Sequence, residues 1–186
     1  MKSVAMASFE QLVAAYRRHL QVPWATNLSD AERTWVLWYD PALERRVAGY
    51  SMEFEQAARQ AGYGWKQVDV AAIIASWLAT NRHAERLMRR PNEVVTLGSE
   101  LLAKVTQAVE SEAAEIGNGD ILALIGAGAL FGFASVASLM EAVAPKVKGR
   151  LLVAFPGRYE AGRYRLLDAR DSWNYHATPI PSPSHQ

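Results

Sequence analysis

Three glycines in the stretch "DILALIGAGALFG" are the first residues whose spacing points to chemistry: Gly126, Gly128 and Gly132 follow the apolar run Ile121 to Ile125. A strand that runs into glycines and then a helix can lay free backbone N–H groups against a phosphate. A dinucleotide fingerprint needs G-x-G-x-x-G after the first strand and a carboxylate at the end of the next one. Here the third glycine comes one position late and the turn follows the third expected strand. The strand after it closes on Phe155-Pro156-Gly157 with no carboxylate. The lysine and hydroxyl of a P-loop are also missing. Two readings stand: a nucleotide-binding turn at Gly126 and Gly128, or a strand-to-helix packing so close that only glycine fits.

Other catalytic constellations are poorly supported. The histidines at 19, 83, 176 and 185 lie far apart, without the spacing that brings two imidazoles to one metal ion. The chain has no cysteine, which removes thiol catalysis, zinc–thiolate sites and disulfides and suits a reducing cytoplasm. Ser135 and Ser138 lack the G-x-S-x-G elbow of a nucleophile. The carboxylate pairs Glu110/Glu112 and Asp168/Asp171 sit among other charges, where solvation is their default role. The expectation is a protein with no metal, no cofactor and no catalytic residue.

The unusual chemistry lies near the C-terminus. "FPGRYEAGRYRLLDARDSWNYHATPI" sets Arg158, Glu160, Arg163, Arg165, Asp168, Arg170 and Asp171 among Tyr159, Tyr164, Trp173 and Tyr175. Arginine mixed with tyrosine and tryptophan is the composition of an interaction hot spot. The alternative is a hairpin closing a sheet edge, its arginines lying over apolar surface. Candidate partner-binding residues are Tyr159, Arg163, Arg165, Trp173 and Tyr175, with Pro156, Gly157, Gly162 and Asn174 as the structural frame. Six tryptophans, at 24, 35, 38, 65, 77 and 173, exceed what a small core requires.

The elements that must position these residues can be read from periodicity. Phe9, Leu12, Val13, Tyr16 and Leu20 share one helical face, giving a helix over 8–21 that ends before Pro23. Trp35 to Tyr39 is a short apolar run suited to a strand buried on both faces. Asp40-Pro41 starts a helix carrying Leu43, Val47, Tyr50 and Phe54 as far as Gly62. A second strand spans Lys66 to Val70, and a helix with Ile73, Ile74, Trp77 and Leu78 follows. A charged helical turn and a break occupy Arg82 to Pro91. A long helix runs from about Val95 to Ile116 and stops at Gly117-Asn118-Gly119. Then come the strand Ile121–Ile125, the glycine turn, a helix bearing Phe133, Val136, Met140 and Val143, and a fourth strand over 150–155. Strands separated by helices imply parallel pairing. The expected fold is a three-layer α/β sandwich, Rossmann-like, with one or two antiparallel strands at an edge near the C-terminus.

Size and composition set outer limits. The 186 residues suit one domain over 1–180, with a disordered tail at 181–186. Half of the chain is hydrophobic, 21% is charged and the net charge is +1, which offers no bulk drive toward nucleic acid or an anionic membrane. The arginine pairs Arg17/Arg18, Arg45/Arg46 and Arg89/Arg90 have carboxylates nearby and read as solvated helix faces. The N-terminus lacks a signal peptide, and the apolar stretch Ile121 to Val143 divides into strand and helix rather than spanning a membrane. A cytoplasmic protein is expected.

The C-terminal segment resembles the signature of the BrxB proteins, a small component of the bacterial BREX phage-defence systems. The matching positions are Pro156, Gly157, Tyr159, Gly162, Arg165, Leu166, Asn174 and Tyr175. The strand into Gly126-x-Gly128 and the stretch "WVLWYDPALE" also look like those of the family, so the resemblance covers nearly the whole chain. "LFGFASVASL", after the glycine turn, departs from the aromatic-Pro and Arg-Ser-His-like stretch that many members carry. The resemblance implies a non-catalytic accessory protein that binds other BREX components, foremost PglZ, the member related to alkaline phosphatases. It carries over no catalytic residue.

Overall fold

The computed structural model describes residues 8–81, 89, 97–166, 172–173 and 175–182, and for 172–173 the backbone alone. Helix α1, Phe9–Leu20, starts at a capping box: Ser8 Oγ accepts from the backbone of Gln11, whose side chain accepts from the backbone of Ser8. Arg17, Arg18 and His19 fall in its last turn, where positive charge meets the negative end of the helix dipole.

Strand β1, Thr34–Tyr39, runs into Asp40, whose carboxylate caps a short 3-10 turn at Pro41–Leu43. The single helix expected after Pro41 is two helices, α2 (Glu44–Gly49) and α3 (Met52–Gln60). The chain leaves helical geometry at Tyr50, where ψ is 27°. Gly49 and Ser51, on either side, are weak helix formers. Strand β2, Gly64–Asp69, ends in a carboxylate that caps α4, Val70–Thr80. Helix α5, Gly98–Ala114, leads to β3, Asp120–Ile125. The helix expected from the glycine turn onward begins later. A 3-10 turn covers Ala127–Leu130, and α6, Val136–Val143, starts only after Ser135, its N-cap. Gly132, at φ +86°, separates the two.

Strand β4, Arg150–Pro156, is buried at every residue and is the central strand of a five-stranded sheet in the order β2-β3-β4-β1-β8, where β8 is Thr178–Ile180. All four pairings are parallel. The antiparallel strands do not extend this sheet. They form a separate small one, β5 (Arg158–Glu160), β6 (Arg163–Arg165) and β7 (Ser172–Trp173), and the edge beside β1 is taken by the parallel β8.

Strand alternation divides the core into two layers. Trp35, Leu37, Ile121, Ala123, Leu152 and Ala154 face α1, α2 and α3. Val36, Leu122, Leu124, Leu151, Val153 and Phe155 face α4, α5, α6 and the small sheet. The chirality of crossovers accounts for this. The chain travels one way from β1 to β2 and the other way from β2 through β3 and β4 to β8, and right-handed connections running in opposite directions lie on opposite faces. Among the described residues no helix is long and apolar enough to cross a membrane.

Candidate functional site

The reversal of direction puts a topological switch point between β1 and β4. In open α/β sheets ligands sit in the crevice outside the strand ends at such a point. Here the chain seats its own hairpin there. The backbone N–H of Gly157 donates to the carbonyl of Tyr39 at 2.8 Å, joining the ends of the two strands. A Cβ at position 157 would collide with the carbonyl of Arg165 and the ring of Phe155, so this glycine lets β6 close over the end of β4.

The hairpin's register follows from its turn. Ala161 and Gly162 both have positive φ, 50° and 77°, as a two-residue turn matched to strand twist requires. That turn pairs Glu160 with Arg163, Tyr159 with Tyr164 and Arg158 with Arg165. Alternation then sends the tyrosines inward. Tyr164 is fully buried, 6.1 Å from the Phe155 ring and 4.6 Å from Tyr159, and its hydroxyl donates to the carbonyl of Ala177 at 3.2 Å. Burial and the neighbouring Tyr159 push the Tyr164 phenol well above its usual pKa, so it stays a neutral donor. Arg158, Glu160, Arg163 and Arg165 are all exposed on the outer face.

The expected partner-binding residues are therefore separated. Arg163 and Arg165 lie outward, and Tyr159 is half-buried as part of the anchor. Tyr175 comes at the far end of the crossover, close to Thr34 at the start of β1, with its phenol pushed up by burial. The backbone of Trp173 pairs with Tyr164, and its side chain, with Asn174, Asp168, Arg170 and Asp171, lies outside the described residues. So do Arg82 to Met88, Arg90 and Pro91, His185 and the tail from Pro183. Arg158 belongs to the arginine- and tyrosine-rich segment but is not among the candidate partner-binding residues read from the sequence. Counting outward from the Ala161-Gly162 turn finds it opposite Arg165.

The glycine turn meets its own chain on both sides. Gly126 is left-handed at φ +71°, and a Cβ there would stand 2.8 Å from that of Ala71 and 3.3 Å from Asp69 Oδ1. At Gly128 a Cβ would come within 2.5 Å of the Pro156 ring. A carboxylate beside the turn repels phosphate, and the N-terminus of α6 is already capped by Ser135 Oγ, which accepts from Ala137. Glu112 pairs with Lys66 at 3.1 Å.

A second group, missed in the sequence, lies near the same edge. Tyr39, almost fully buried, donates to Glu44 Oε2 at 2.6 Å, and burial together with nearby Asp69 raises the Glu44 carboxyl above the usual carboxylate range. Among the described residues no His, Asp and Glu side chains gather in a way that could hold a metal ion. No family model, no curated protein and no solved structure matches this chain.

Proposed function

We propose that this chain is a non-catalytic accessory protein of a BREX-type phage-defence assembly in the cytoplasm, and that its β5–β6 hairpin binds the phosphatase-like component PglZ. The observation that carries this reading is where the BrxB-like signature falls. Gly157 and Gly162 are the residues that make the hairpin and bring it down on the sheet, Tyr159 belongs to its inner anchor, and Arg165 is displayed on its outer face. An outward arginine on a frame anchored to the sheet suits recognition rather than bond-breaking. Seating the hairpin at the switch point also leaves the usual ligand crevice occupied by the chain itself.

The test is co-expression with a PglZ protein of a BREX system. A stable complex should co-elute in size-exclusion chromatography, and Arg165→Glu should weaken it. Separate elution of the two proteins at micromolar concentration would sink the assignment. The nucleotide reading of Gly126 and Gly128 has no geometric observation in its favour and is tested below.

A further inference from the structure

The outer face of the hairpin carries three guanidinium groups and one carboxylate. Glu160 faces Arg163 across the strands, an opposite-charge pair beside the turn. Arg158 faces Arg165, a like-charge pair whose backbones are about 5 Å apart. Like charges placed directly opposite each other destabilise a sheet. Among the described residues the side chains of Arg158, Arg163 and Arg165 make no ion pair or hydrogen bond, whereas Arg33, Arg46 and Arg59 each hold a carboxylate. Gly157 and the buried Tyr164 anchor the hairpin backbone to the sheet, so the three arginines project from a set frame.

We infer that this face docks a carboxylate-rich protein surface, with Arg158 and Arg165 closing on one cluster of acidic side chains and Arg163 flanking it. The inference rests on the hairpin being the partner-binding element. A carboxylate between the two opposed arginines removes their repulsion and accepts two forked hydrogen bonds at once. Protein is favoured over nucleic acid by Glu160, which sets a negative charge in the same strip and would repel a phosphate backbone. A protein surface can answer Glu160 with a lysine. The net charge of +1 supplies no long-range pull on a polyanion either.

The experiment uses the full chain, a fluorescein-labelled hexaglutamate peptide and a labelled oligothymidylate, compared by anisotropy at low and physiological salt. The PglZ pull-down runs in parallel. Wild type should bind the peptide more tightly than the oligonucleotide. Arg165→Glu should weaken peptide binding about tenfold while melting no lower than wild type, because it turns a like-charge pair into an opposite-charge one. Glu160→Gln should tighten binding. Tighter binding of the oligonucleotide, or peptide binding unchanged in Arg165→Glu, overturns the inference. If PglZ co-purifies equally with wild type and Arg165→Glu, the acidic-surface inference fails and PglZ stands as a partner held by another surface. If PglZ never co-purifies while the peptide results hold, the surface stands and that partner falls.

Discussion

Arg150, at the head of the central strand, lies over the ring of Trp24, its guanidinium carbon 4.6 Å from the ring centroid. It is a buried cation, 5% exposed, whose described contacts include no carboxylate. The carbonyl of Ala25 accepts from Nη2 at 3.0 Å, and the Trp35 ring lies on another side at 6.0 Å. Trp24 is itself stacked on Tyr63 at 4.1 Å. Aromatic faces and a carbonyl thus replace the missing anion, which is how an arginine survives burial here. Arg150→Ala should cost about 2–4 kcal/mol in urea unfolding, and Arg150→Met clearly less, because methionine keeps the packing without a charge to desolvate. Equal losses would mean that the charge itself matters.

Gly157→Ala should destabilise by about 2 kcal/mol or more, since the added methyl meets the Arg165 carbonyl and the Phe155 ring. Tyr164→Phe should cost about 1 kcal/mol through the bond to Ala177. Both are checked by melting and chemical unfolding, and Gly157→Ala should also make the hairpin more sensitive to limited proteolysis.

Gly126→Ala should destabilise through its left-handed backbone and the contact with Ala71 by about 1–3 kcal/mol. Millimolar ATP, GTP or dinucleotide should leave the melting temperature of wild type unchanged. A rise with added nucleotide would be the mass-action signature of binding and would restore the nucleotide reading.

His19 packs edge-on against Trp35 at 4.5 Å, and burial, with Arg150 nearby, lowers its pKa below the ordinary 6.5. Just below pH 6.5 the unfolded chain binds this proton more readily than the native one. Its contribution to stability is therefore complete above 6.5 and declines as pH falls. Glu44 works the other way, because its raised pKa makes stability decline as pH rises from 4.5 through the folded value. Unfolding measured across this range should show His19→Gln losing the first slope and Glu44→Gln the second.

The elements themselves were legible. The 3.6-residue spacing of Phe9, Val13, Tyr16 and Leu20 defines α1, and the unbroken apolar runs at Trp35–Tyr39 and Ile121–Ile125 mark strands buried on both faces. The late start of α6 was not. Glycine and serine around 132–135 stop a helix whose apolar pattern carries on through them. The direction of β8 was also misread: an antiparallel edge strand is expected near the C-terminus, and β8 takes the edge beside β1 but runs parallel to it.

By itself, then, the sequence determined the class of fold, the first helix and the strands buried on both faces. These depend on neighbours a few residues apart, through caps, periodicity and turn chemistry. Tertiary structure alone decided the order β2-β3-β4-β1-β8, the seating of the hairpin at the switch point, and the meeting of Trp24, Trp35 and Tyr63 around Arg150. Such contacts join residues scores of positions apart. Their energy comes from burying shared surface, and no local pattern records which surfaces will meet.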